Sequence, residues 1–121
     1  MSGGRTLIIG EAILDFLPAR SGDIRDQSSW EVHSGGAPAN VATGLALAGG
    51  QAVLASVIGE DEFGARLLAH LRGVGVDCTH VRISPDEATG LCFVSLDEDG
   101  ERRFTHRGGY PFSLFTQADL D

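Results

Sequence analysis

The stretch Ser34–Gly50, SGGAPANVATGLALAGG, decides how the rest of the chain is read. Two adjacent glycines stand before a proline and an asparagine, and a run of Ala, Leu and Val follows up to a second glycine pair. Proline is tolerated in a first helical turn and a glycine pair stops a helix, so a helix is predicted over 37–48. Backbone N–H groups at such a start are free and face whatever sits there. Gly35 and Gly36, lacking Cβ atoms, let a ligand or another strand approach closely and can act as a hinge. Asn40 falls in the first turn, where its amide both donates and accepts, a pairing that suits hydroxyl groups better than phosphate. The same residues also fit a plain strand-to-helix turn with an exposed asparagine. A Walker-type phosphate loop is excluded, because it needs a lysine after its glycines and the chain contains none.

Outward from this stretch the apolar runs alternate with helical patterns. Arg5–Pro18, RTLIIGEAILDFLP, reads as a first strand buried on both faces of a parallel sheet. Trp30–Ser34 alternates in the manner of an edge strand, and QAVLASVIG, Gln51–Gly59, is a second buried strand. Glu60–Gly75 is an amphipathic helix with Phe63, Leu67, Leu68 and Leu71 on one stripe, opened by acids and closed by Gly73 and Gly75. Thr79–Ser84 is a third strand. This βαβαβ order implies an α/β domain with a parallel sheet and right-handed crossovers.

Beyond it, Thr89–Gly109 carries two alternating runs around DEDGE, a hairpin turned at Asp99-Gly100. Leu91, Phe93 and Ser95 alternate with Cys92, Val94 and Leu96, so both faces need cover, one from the domain and the other from a second subunit. Near the end, Thr116 is followed three residues later by Asp119, in the manner of a capping box. A helix nucleus that short is not stable alone, so the chain is expected to be the N-terminal piece of a longer protein.

The 121 residues suffice for one small domain. A net charge of -8 argues against nucleic-acid binding, which needs Lys and Arg to neutralise phosphates. Cys78 and Cys92 fit no paired metal spacing and read as reduced thiols of a cytoplasmic protein. There is no signal-peptide pattern and no apolar run of membrane-spanning length. His33, His70, His80 and His106 share no ligand spacing and read as structural or exposed, so no metal site is expected. Gly73–Asp77, GVGVD, follows a helix and lacks a third glycine, which excludes a dinucleotide loop.

Asp15 is the strongest charged candidate. It sits within an apolar run, at or near the C-terminal end of the first strand, where open α/β sheets bind ligands. A carboxylate there can accept hydrogen bonds from two neighbouring sugar hydroxyls; it can equally cap a turn. Arg107, at the end of the second hairpin strand, can reach back into a cleft or serve structure, whereas Arg102 and Arg103 read as a solvated tip.

Gly35–Gly59, GGAPANVATGLALAGGQAVLASVIG, resembles the first signature of the ribokinase-like, or PfkB-type, carbohydrate kinases. IGEDEFGARLLAHLRGVGVD continues as that family does, TGLCFVSLDEDGERRFTHRGG resembles its lid hairpin, and IIGEAILDFLP is most similar to fructokinases and 2-keto-3-deoxygluconate kinases. The resemblance covers residues 5–121. It implies a ribokinase-like parallel-sheet sandwich, with lid strands at about 16–34 and 88–108. It implies that Asp15, Gly35, Gly36 and Asn40 bind the sugar, that Arg107 contacts the acceptor, and that the lid closes over it and mediates a homodimer. The activity implied is ATP-dependent phosphorylation of a sugar primary hydroxyl, with fructose first. The family's second signature, Asp-Thr-x-Gly-Ala-Gly-Asp, which supplies the anion hole and catalytic base, is absent from these residues. So are the segments for ATP and Mg²⁺. No catalytic residue is therefore expected in this chain, and it is expected to be inactive alone. The competing expectation is a non-catalytic sugar-binding or dimerising module.

Overall fold

The computed structural model describes residues 4–121. The first apolar run is two strands, not one: β1 (Arg5–Ile9) and β2 (Ile13–Pro18) lie in different sheets. The break falls at Gly10, where an added Cβ would run into the ring of Pro38 in the first turn of α1 (Ala37–Leu47). A glycine lets the backbone pass under that turn and leave the first sheet. The apolar pattern runs through the break unaltered, so the sequence carries no mark of the change of sheet.

The first sheet has the order β1-β4-β5, all parallel, with β4 (Gln51–Gly59) in the centre and β5 (Asp77–Ser84) beside it. Residues 52–59 are buried throughout, as a strand covered on both faces requires. β1 departs from that expectation. It pairs with β4 alone, and Leu7 and Ile9 are 49% and 45% exposed because no described element covers their face.

Helix α1 begins at Gly36 (φ +90°), carries Pro38 in its first turn and ends where Gly49 (φ +90°) turns the chain back. Gly49 and Gly50 donate to the carbonyls of Ala46 and Leu45, satisfying the last turn. Helix α2 (Glu62–Gly73) is capped by the Asp61 carboxylate, which accepts from the Gly64 N–H at 2.7 Å. Its Leu67 and Leu71 join Leu54, Ile58, Ala39 and Ala42 in the core. Phe63, expected on the same stripe, is instead half exposed and meets the second sheet edge-on.

The second sheet has the order β3-β2-β6-β7, with β3 (Trp30–Gly35), β6 (Leu91–Leu96) and β7 (Arg102–Arg107). β3 is an edge strand, as its alternation predicts. β2 and β6 run parallel, while the two outer pairs are antiparallel. Gly100 (φ +80°) makes the hairpin turn, donating to the Asp97 carbonyl. One face packs on the body through an aromatic column: Phe16 stacks on Phe93 at 4.5 Å, Trp30 meets Phe93 edge-on at 5.3 Å, and Phe63 of α2 meets Phe16 at 6.3 Å. The opposite face leaves Phe104 58% exposed. Cys78 and Cys92 are both free and buried.

The capping box at Thr116 and Asp119 is present, but the segment it starts, Gln117–Leu120, is a 3-10 helix. Asp119 also ties this segment to β5: Arg82 Nε donates to its Oδ1 at 2.7 Å, and Arg82 Nη2 reaches the Leu114 carbonyl at 2.8 Å. The hydrogen bond from Arg82, with that from the Thr116 N–H, holds the Asp119 carboxyl below the usual carboxylate range. A carboxyl whose folded pKa is lowered stabilises the fold above its unfolded pKa, and that contribution is lost as pH falls through the folded value. Asp119→Asn is therefore expected to lower the melting temperature at pH 7, and the gap to wild type should begin to narrow below about pH 4 and close as pH falls through the lowered folded value. Thermal melts followed by circular dichroism check this; a gap independent of pH would overturn it.

Candidate functional site

The backbone passes between the second sheet and the rest of the fold at 10–12, 35–36, 89–90 and 108–109, with glycine at each crossing. The crossings touch in pairs. A Cβ on Gly36 would stand 2.8 Å from the Glu11 carbonyl oxygen. A Cβ on Gly108 (φ +81°) would overlap the Thr89 carbonyl oxygen, and one on Gly109 would stand 2.8 Å from that of Ala88. Backbone lies against backbone here, which only glycine permits. The Leu14 N–H donates to the Gly90 carbonyl at 3.1 Å and joins the two pairs.

Thr89 anchors the third crossing. Its N–H and Oγ1 donate to Asp61 at 2.9 and 2.7 Å, and its Oγ1 accepts from the Gly59 N–H at 3.1 Å. Burial alone would raise the Asp61 carboxyl, but the bonds from Thr89, Gly64 and Phe63 outweigh it and hold the group below its ordinary value. One carboxylate thus caps α2 and fixes the end of β4 to the base of the second sheet.

Asp15 does not end a strand of the first sheet. It is the third residue of β2, inside the second sheet, because the chain changes sheets at Gly10. Pairing places Asp15 opposite His33 on β3 and beside Cys92 on β6, which in turn is opposite His106 on β7. Directly paired residues share a face, so His33, Asp15, Cys92 and His106 form one row across four strands, on the side away from the aromatic column. The carboxylate leans over Gly35: a Cβ there would overlap Oδ2 and stand 2.8 Å from Oδ1.

Asp15 is half-buried and accepts no hydrogen bond from the described residues. Burial pushes its carboxyl above the usual carboxylate range, while the imidazoles of His106 and His33 pull it back. It lines an open hollow of about 460 Å³ with Leu17, Arg20, Val94, Arg102 and Phe104. An unsatisfied carboxylate at the wall of a hollow with apolar flanks is equipped to accept from a ligand that brings its own donors.

The structure therefore brings Asp15 and Gly35 into contact. Gly36 follows as the N-cap of α1, and Asn40 lies one turn further on, its N–H bonded to the Gly36 carbonyl at 2.9 Å and its side chain exposed. Arg107 is not part of this group. It pairs with Leu91 at the base of β7, turns its Nη1 onto the His106 carbonyl at 2.8 Å, and lines a second hollow with Glu11, Ile13, His106 and Tyr110, which Asp15 does not line. Of the histidines read from sequence as structural or exposed, His33 pairs directly with Asp15 and His106 lies one strand further, beyond Cys92. Only strand pairing reveals this; from sequence the sole hint is that His106 shares the parity of Cys92 once the hairpin turn is placed.

Residues 5–119 match the model of the pfkB family carbohydrate kinases. The chain belongs to that family. Fructokinase-1 of rice, Oryza sativa subsp. japonica, is 39% identical over 125 residues, a match covering 100% of this chain and 39% of that protein. The fructokinase structure from Xylella fastidiosa superposes with a TM-score of 0.85 at 32% identity, over 95% of this chain and 36% of that one. An uncharacterized sugar kinase from Pyrococcus horikoshii superposes at 0.87 and 32%, over 96% of this chain and 38% of that one, and has also been solved in complex with ATP. This pfkB-family chain thus spans about two fifths of the relatives it matches. The matched range takes in both sheets, so the second sheet is part of the family fold.

Proposed function

We propose that this chain is the sugar-binding part of an ATP-dependent kinase that phosphorylates a sugar primary hydroxyl, with fructose the first candidate. The observation that carries the reading is Asp15: a half-buried carboxylate without a protein donor, leaning over Gly35 where the two sheets join. Vicinal sugar hydroxyls supply the donors it lacks, and Asn40 on the first turn of α1 supplies a donor and an acceptor for a third hydroxyl. Gly35 and Gly36 keep the space clear and serve as hinge for the second sheet, which acts as a lid. The fructokinases among the relatives favour fructose over ribose or a nucleoside.

Among the described residues no cluster of three or more His, Cys, Asp or Glu is placed to hold a metal ion. They also present no lysine for a nucleotide's phosphates. No step of phosphoryl transfer is derived from them, and the chain alone is proposed to bind sugar without turning it over. A second reading, a dimerising module, is favoured by one observation: Phe104 stands 58% exposed on the face that carries Asp15. A second copy of this sheet is the occupant that would cover it. No helix among the described residues is long and apolar enough to cross a membrane.

Titrating D-fructose into the chain, followed by amide NMR, tests the reading. Saturable shifts are expected at Gly35, Gly36 and Asn40, together with no ATP consumption. Asp15→Asn is expected to weaken binding about 10- to 100-fold, the loss of a hydrogen bond to a charged group at about 1.5–3 kcal/mol. Unchanged affinity in that variant would remove Asp15 from the site.

A further inference from the structure

We propose that His33 and His106 are sugar-contacting residues on either side of Asp15, and that their protonation switches sugar binding off. This inference rests on reading Asp15 as the sugar-hydroxyl acceptor. It adds two residues, a substrate geometry and a pH dependence to that reading.

The geometry comes from the strand register. His33 and His106 flank Asp15 within one row of the second sheet, His33 on the neighbouring strand and His106 beyond Cys92. Cys92 is 3% exposed and forms the floor between Asp15 and His106. Both histidines are exposed, and both rings act on the Asp15 carboxyl electrostatically. On the side of the row toward the body, Gly35, Gly90 and Gly108 carry no side chain, and Ile13 stands between Gly35 and Gly90. His106 lines a neighbouring hollow with Ile13 and Gly90, so a sugar ring on Asp15 that extends across Cys92 would meet His33 at one end and His106 at the other.

The chemistry then fixes the direction. A neutral imidazole offers one donor and one acceptor, which matches a sugar hydroxyl. An imidazolium offers donors only, and beside an unpaired carboxylate it forms an ion pair. That pair occupies the lone pairs on Asp15 to which the sugar hydroxyls would donate. The other charged groups facing Asp15 do not change over this range. Arg20 and Arg102 line the same hollow, and Glu31 Oε1 is 3.8 Å from His33 Nε2; arginine and glutamate side chains as a class ionise outside this range. The Cys92 thiol is pushed up by burial and stays neutral. Histidine is the side-chain type whose charge ordinarily changes near neutral pH, and His33 and His106 are the two histidines in this row.

The test uses the chain itself, with D-fructose as probe and the histidine ring signals as reporters. His70 and His80 serve as internal controls: His70 is exposed on α2, and the His80 ring is bonded to the Asp119 carbonyl. The proposal expects the His33 and His106 signals to move with fructose while the controls stay. It expects the dissociation constant to rise at least about threefold from pH 8 to pH 6, the interval that spans the usual charge change of histidine side chains. The double variant His33→Gln/His106→Gln keeps hydrogen-bonding amides and cannot charge, so its affinity should be flat across that interval. A purely structural role for the histidines would not produce that flattening. Fructose binding that remains Asp15-dependent but shows the same pH response in the double variant overturns this proposal and leaves the Asp15 reading standing. Absence of any fructose-dependent shift at pH 8 overturns both.

Discussion

Gly108→Ala is expected to destabilise the chain far more than Gly100→Ala. The two glycines have nearly the same backbone, φ +81° and +80°. An alanine at either position carries the left-handed penalty of about 1–2 kcal/mol. At Gly100 nothing stands within 4 Å of the new Cβ, so the penalty ends there. At Gly108 the Cβ overlaps the Thr89 carbonyl oxygen. That oxygen is backbone, and Thr89 is held by Asp61 and by the Gly59 N–H, so it cannot move aside cheaply. Forcing the crossings apart adds overpacking strain of about 1–3 kcal/mol. Against a total stability on the order of 5–15 kcal/mol, the sum is a large fraction. Urea unfolding of both variants measures the difference. Equal midpoints would mean that the contact between the crossings contributes nothing to holding the second sheet on the body.

The second large effect is on binding rather than folding. Gly35→Ala places a Cβ where the Asp15 carboxylate lies. The Gly35 backbone is not left-handed, so alanine fits it without strain. The carboxylate must swing off its position over the crossing, and the side chain is free to do so because no described residue bonds it. Gly35 is buried, but the atoms its Cβ would meet end a side chain that can turn aside, so the expected stability loss stays below the about 1–3 kcal/mol of overpacking against fixed atoms. Fructose affinity should fall by a factor similar to that of Asp15→Asn, about 10- to 100-fold. Paired unfolding and NMR titrations check it. An affinity equal to wild type would show that the carboxylate position over Gly35 is not the one that binds sugar.

Both predictions turn on glycines, and the sequence reveals only part of what these glycines do. Gly35-Gly36 before Pro38 marks a turn and a helix start on composition alone, because the helix rules are local. Gly49 ends α1, Gly75 follows α2 and Gly100 turns the hairpin at the places local rules assign them. Gly10 is different. Inside the run Leu7–Leu17 it reads as an interruption too small to stop a strand, yet it is where the chain changes sheets. The reason is its contact with Pro38, 28 residues away along the chain, which no local pattern encodes. The exposure of β1 escapes the sequence for a related reason: an apolar run states what a strand can bury, not whether a neighbour is there to cover it.

The candidate site divides along the same line. Gly35, Gly36 and Asn40 occupy one short segment, so their closeness follows from the chain itself. Asp15 could be named from sequence as a costly charge in an apolar run, but its surroundings could not. His33, Cys92 and His106 come from three other strands, and a shift of one residue in any pairing would turn the row to the opposite face. Arg107 shows the converse. Its place at the end of the hairpin suggested reach into the cleft, whereas its guanidinium turns back onto its own strand.

The sequence by itself determined the family, the glycine-rich start of α1 and the elements other than the split of the first apolar run, because these depend on side-chain period and local backbone preference. Only the tertiary structure decided that Asp15 belongs to the second sheet, that it stands between two histidines, and that the two sheets join through crossings in backbone contact. Those facts depend on strand register and on contacts between residues far apart in the chain, which fold energetics sets globally rather than residue by residue.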